Sequence, residues 1–109
     1  MEALNDKECP VGSMYNLEYA HKMSNLRENF EGGRAIFTLP TMPIKCGGAP
    51  QKIMYLTDDT LRRKGIRKRA AIHFYTSVPV MFPNCKKFSD ALGPIANLKW
   101  ITTHFNHNI

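Results

Sequence analysis

Residues 39–52, Leu39-Pro40-Thr41-Met42-Pro43-Ile44-Lys45-Cys46-Gly47-Gly48-Ala49-Pro50-Gln51-Lys52, constrain the fold more than any other stretch. Before them, residues 34–39 read as a short buried strand. After them, residues 51–64 read as a helix whose first turn suits Pro50, because the N–H that proline lacks would have no partner there. A proline-stiffened loop thus carries Cys46 to a glycine pair where the helix begins. Strand, tight turn and helix start place that side chain at the carboxyl edge of a sheet, where open α/β folds keep their chemistry. A helix start also presents unpaired N–H groups and partial positive charge, which favour thiolate over thiol.

The rest of the chain extends this pattern. Residues 70–75, Ala-Ala-Ile-His-Phe-Tyr, read as a second strand, so strand, helix and strand suggest a parallel βαβ unit with a right-handed crossover. Residues 84–98 read as a weak helix with Phe88, Ala91, Leu92 and Ile95 on one face, interrupted by Gly93-Pro94. Residues 100–105 read as a third strand. Three strands and two or three helices make about half of a doubly wound domain, with an open sheet edge where further strands would pair. Upstream, residues 1–13 read as a loop ending in Ser13, a candidate helix cap. Residues 14–31 carry Leu17, Ala20, Met23, Leu26 and Phe30 at helical spacing, which predicts one buried face, and Gly32-Gly33 stops that helix. The expected division is 1–32, a loop and helix linking to a preceding domain, and 33–109, a partial Rossmann-like domain with the cysteine. The chain reads as a piece of something larger.

With 109 residues and a formal charge of +6, the chain has room for one small domain. Much of the positive excess lies in residues 61–69, which hold Arg62, Arg63, Lys64, Arg67, Lys68 and Arg69. Such a run can meet an anionic partner. It also suits the C-terminal end of a helix, with Asp58 and Asp59 one turn upstream and Gly65 just past the last turn. The three cysteines, Cys9, Cys46 and Cys85, show neither CxxC spacing nor a Cys/His pattern for zinc. No secretory signal, transit peptide or membrane-spanning run is visible. His21 reads as a surface residue and His73 as a satisfied or edge residue of its strand.

Cys46-Gly47-Gly48-Ala49-Pro50 occupies the place of a dinucleotide fingerprint without being GxGxxG. Tyr75-Thr76-Ser77 stands where an NAD site wants an acid for the ribose, which argues against NAD binding by this unit. For Cys46, a buried structural cysteine and a functional thiol both fit the residues.

The segments Gly33-Arg34-Ala35-Ile36-Phe37-Thr38-Leu39-Pro40 and Pro43-Ile44-Lys45-Cys46-Gly47-Gly48-Ala49-Pro50-Gln51-Lys52-Ile53-Met54-Tyr55-Leu56 closely resemble the eukaryotic mitochondrial sulfide:quinone oxidoreductases, flavoproteins of the pyridine nucleotide-disulfide oxidoreductase superfamily. The likeness runs from about Val11 to Leu92, and weakly to the end, but covers only a middle portion of the family's length. It implies a fragment of a flavoprotein with two dinucleotide-binding domains. It implies that sulfide attacks an oxidised cysteine bridge, that electrons pass via FAD to ubiquinone, and that sulfane sulfur leaves to an acceptor such as glutathione or sulfite. Cys46 falls on the first redox cysteine. Neither Cys9 nor Cys85 falls on a redox position. The resemblance further implies the mitochondrial inner membrane, reached through parts absent here, and no nucleic-acid partner. The FAD-binding glycine fingerprint, the second redox cysteine and the quinone pocket are absent from these residues, so the chain alone is expected to neither hold FAD well nor turn over.

Two other classes remain open. One is a non-catalytic remnant or small basic interaction module using residues 62–69. The other is a different FAD-dependent disulfide oxidoreductase using NAD(P)H, against which the missing fingerprint and missing strand-end acid both count.

Overall fold

The computed structural model describes residues 2–108 and divides into two compact units at residues 31 and 32. The first holds α1 (Glu2–Asn5) and α2 (Leu17–Asn29). Residues 1–13 are therefore not all loop. The single turn of α1 is held by Lys22, whose ammonium donates to the carbonyls of Ala3 (3.0 Å) and Leu4 (3.3 Å) as well as Asp6. That contact joins residues far apart in sequence and is invisible to local pattern. The cap of α2 is Asn16 rather than Ser13: Asn16 Oδ1 accepts from the Glu18 N–H at 2.9 Å. The predicted buried face of this helix is only half-buried, and Leu17 is 76 % exposed. A unit of some thirty residues has too little volume to enclose a core.

The second unit is α/β. Its elements are β1 (Gly33–Leu39), α3 (Ala49–Arg63), a 3₁₀ turn (Arg67–Arg69), β2 (Ala70–Thr76), α4 (Lys86–Leu98) and β3 (Ile101–His104). The strands form one parallel sheet in the order β1-β2-β3, as the βαβ reading predicts. The register sets Phe37 beside Phe74, Leu39 beside Thr76, and Ile72 beside Ile101. Because side chains alternate across a strand, Phe37, Leu39, Ala70, Ile72, Phe74, Thr76 and Ile101 share one face, and all are buried. With Ile53, Met54 and Leu61 of α3 and Ala96 of α4 they make the core. The opposite face carries Arg34, Ile36, His73, Tyr75 and His104, exposed or half-buried.

The basic end of α3 behaves differently from a solvated helix terminus. Gly65, at φ +72°, closes a Schellman turn: its N–H reaches the Arg62 carbonyl and the Ile66 N–H reaches that of Leu61, each at 3.0 Å. Beneath it Asp58, with no exposed side-chain surface, accepts from Arg62 Nε (2.8 Å), Arg67 Nε (2.6 Å) and Lys99 Nζ (3.1 Å). Arg67 is itself buried and also donates to the carbonyls of Ala70, Lys99 and Trp100. Three guanidinium groups of the basic run are thereby paired within the fold, two on Asp58 and that of Arg63 on Asp59 at 2.9 Å.

Two expectations about the helices change, the first being that the spacing of Ile53, Leu56, Thr60 and Leu61 predicts one buried face on α3. On α3, Leu56 lies outside, while Thr57 and Asp58 are buried. On α4, Gly93-Pro94 does not interrupt the helix, which runs unbroken from Lys86 to Leu98. Pro94 and Asp90 are both exposed, so water can satisfy the carbonyl that the missing Pro94 N–H leaves without a helical partner. The face against the sheet is Ser89, Leu92 and Ala96, and the larger Phe88 and Ile95 look outward.

Candidate thiol site

Cys46 lies in the turn between β1 and α3, at the carboxyl edge of the sheet. The preceding loop contains a cis peptide bond between Met42 and Pro43. Cys46 is exposed and adopts φ +53°, the left-handed region that side-chain-bearing residues seldom enter. Its carbonyl accepts from the Ala49 N–H at 3.0 Å, closing the turn into α3. Gly48 is the N-cap residue and Pro50 sits in the first helical turn, where the sequence placed it. Among the described residues this thiol is therefore not buried. Cys9 and Cys85 are half-buried, and none of the three forms a disulfide.

The two glycines have a packing role. A methyl group on Gly48 would come within 3.0 Å of the Phe82 ring, and one on Gly47 within 3.6 Å of the Pro83 ring. The segment after β2 therefore lies directly against the turn, and glycine at 48 is what admits it. Polar side chains fasten that segment from two helices. Gln51 of α3 donates from Nε2 to the Met81 carbonyl at 2.6 Å. Ser89 of α4 donates to the Phe82 carbonyl at 2.6 Å and accepts from the Phe82 N–H at 2.9 Å. Sequence pattern pointed to neither Gln51 nor Ser89. A buried glutamine inside an apolar helical stripe is the only local signal either offers.

The ends of the first two strands are joined nearby. The Ser77 N–H donates to the Leu39 carbonyl at 3.1 Å, and Ser77 Oγ donates to the Pro40 carbonyl at 2.8 Å. Thr76 is fully buried and its hydroxyl accepts from the Val78 N–H. His21 is exposed, as expected of a surface residue, while His73 Nδ1 lies 3.0 Å from His104 Nε2 on the open sheet face. Tyr75 stacks on the His104 ring with centroids 4.0 Å apart. A cavity of about 680 Å³ lies in the first unit between α1 and α2 and contains none of the thiols. Among the described residues, no group of three or more His, Cys, Asp or Glu side chains could hold a metal ion. No helix among them is long and apolar enough to cross a membrane.

The glycine turn departs from a diphosphate cradle. Phe82 and Pro83 pack against it, and Pro50 removes one of the first-turn N–H donors.

A parallel three-stranded sheet with a helix in each crossover, and a glycine turn opening the first of them, defines a partial Rossmann-like α/β unit. No family model matches the chain. Comparison with curated proteins is specific nonetheless. The chain is 38 % identical over 91 % of its length to the mitochondrial sulfide:quinone oxidoreductase of Mus musculus. It is 43 % identical over 84 % to that of Schizosaccharomyces pombe, and 40 % identical over 91 % to that of Dictyostelium discoideum. It spans only 22 %, 20 % and 22 % of those three proteins. The chain thus resembles a portion of the mitochondrial sulfide:quinone oxidoreductases. It also superposes with a TM-score of 0.73 on a chain in the cryo-EM structure of the Tetrahymena thermophila mitochondrial ATP synthase, covering 96 % of itself and 27 % of that chain. At 18 % identity, that likeness is one of fold.

Proposed function

We propose that this chain corresponds to the part of a sulfide:quinone oxidoreductase that supplies one redox thiol, Cys46. The observation that carries the reading is an exposed cysteine in a strained turn at the carboxyl edge of a parallel sheet, in a chain 38–43 % identical to enzymes of that name. Residues 1–32 would link to a preceding domain, and residues 33–109 would form the thiol-bearing half-domain. The location would be mitochondrial, as the names of the relatives suggest, and the same proposal puts the larger protein at the inner membrane.

The chemistry available to Cys46 is sulfur exchange. In the oxidised state its sulfur would be bonded to that of a second cysteine from elsewhere in the larger protein. Hydrosulfide attacks one sulfur of that bridge, a new S–S bond forms, the old one breaks, and the other cysteine leaves as thiolate. The electron pair now on that thiolate is the one passed on to quinone, and the outer sulfur of the persulfide goes to an acceptor such as glutathione or sulfite. FAD, when bound in the larger protein, supplies the two-electron relay. The glycine turn here packs against Phe82 and Pro83 and lacks the FAD-binding fingerprint, so the main FAD-binding fingerprint would lie in the rest of the larger protein.

The visible spectrum of the protein purified from its natural source tests the reading. Flavin bands that bleach on adding sulfide, and that no longer respond in a Cys46→Ser variant, are expected. An intact response in that variant would overturn the assignment of Cys46. The rival reading of a basic interaction module loses support because Arg62 and Arg67 are committed to the buried carboxylate of Asp58.

A further inference from the structure

Gln51 is 3 % exposed, and its two polar atoms have unequal fates. Nε2 reaches the Met81 carbonyl at 2.6 Å, whereas Oε1 is buried with no hydrogen-bond partner. A methionine would fill similar space and strand no oxygen, so packing alone does not favour glutamine here. The gain over methionine is the tie to Met81. That tie and the paired bonds between Ser89 and Phe82 hold segment 81–83 from both sides, and the segment packs on Gly47 and Gly48 immediately after Cys46.

We infer that Gln51 is a positioning residue for Cys46, fixing the wall against which the thiol-bearing turn rests. The inference rests on reading Cys46 as the reactive thiol. It concerns this chain's own residues and needs no flavin, sulfide or quinone.

Alkylation by iodoacetamide, followed for each cysteine by mass spectrometry between pH 6 and pH 10, tests it on the 109-residue chain. Cys9 and Cys85 serve as internal references. Gln51→Met releases the wall and is expected to raise the Cys46 rate at least threefold across the range without moving its pH dependence. Gln51→Glu loses the Met81 tie as well but adds a carboxylate by the turn, so, unlike Gln51→Met, it is expected to shift the Cys46 pH dependence toward higher pH. Ser89→Ala, acting on the same wall from α4, should reproduce the Gln51→Met result. Unchanged Cys46 rates and pH dependence in folded variants would overturn the inference, as would equal changes at all three cysteines. If the variants fail to fold, the unaltered chain decides: the Phe82 amide should exchange with deuterium as slowly as the amides of α3, and rapid exchange would overturn the proposal. Failure of the redox assignment shows separately, as an unchanged sulfide response in Cys46→Ser.

Discussion

Asp58 is a fully buried carboxylate on which three cations of the second unit converge. Burial would raise its carboxyl pKa, but hydrogen bonds from Arg62, Arg67 and Lys99 outweigh that and hold it below the usual value. A carboxylate so stabilised strengthens the fold above the unfolded pKa near 4 and loses that contribution as pH falls through the lower folded value. Asp58→Asn would leave Arg67 buried without its counter-charge. We expect it to cost about 3 kcal/mol, measured by urea unfolding at pH 7. A loss below about 1 kcal/mol would mean that the carbonyls around Arg67 suffice. Tyr55 makes a second long-range bond, from its hydroxyl to the Leu92 carbonyl at 2.9 Å. Burial first, and the Asp58 charge second, push its pKa up to about 12. A raised phenol favours the fold below the unfolded pKa near 10, and that contribution drains away as pH rises toward 12. Tyr55→Phe should therefore lose about 1 kcal/mol at pH 7 and flatten the stability decline above pH 10. At this scale the sequence showed the position of Cys46 plainly, because prolines and glycines fix the local chain. It concealed Gln51, Asp58 and Arg67, whose partners lie 30, 41 and 33 residues away at Met81, Lys99 and Trp100.

Among the elements, β1, α3 and β2 were legible because alternation and capping chemistry agree with their packing. Helix α4 was legible in extent but not in orientation. Of the face read as Phe88, Ala91, Leu92 and Ile95, the large Phe88 and Ile95 are exposed, as is Ala91, and only Leu92 is half-buried. The sheet instead takes Ser89 and Ala96, small enough for the helix to approach closely, and Ser89 is further recruited by Phe82. Counting large side chains selects the wrong face whenever close approach selects small ones. The edge strand β3 carries a pH-sensitive contact. One N–H between His73 and His104 serves two ring nitrogens 3.0 Å apart, so the pair is stable only while at least one ring is neutral. Burial, then the charges of His104 and Arg34, lower the His73 pKa. Neutral His73 is thus favoured by the fold, and its contribution is present above the unfolded pKa near 6.5 and lost as pH falls below it. The unfolding temperature should drop between pH 7.5 and pH 5.5, and His73→Gln should reduce that drop. An equal drop in the variant would place the pH sensitivity in other groups.

For the molecule as a whole, parallel strand order followed from strand, helix and strand lengths alone, since a parallel pair requires a crossover of this size. What covers the outer surface did not follow. Phe88 is 54 % exposed, Ile95 40 %, Leu98 80 % and Trp100 65 %. Leu98 and Trp100 flank Lys99, whose own side chain turns inward to Asp58. Large exposed apolar side chains drive association when chains are concentrated. The isolated 109-residue chain should therefore show a concentration-dependent increase in mass by sedimentation equilibrium in the micromolar range. Leu98→Glu combined with Trp100→Ser should abolish it while changing stability by less than about 0.5 kcal/mol, since neither side chain belongs to the core. If association survives both substitutions, the contact lies instead on the open sheet face around Ile36 and Tyr75, or along the unpaired edges of β1 and β3, and edge pairing would then show as added protection of the β1 amides from exchange.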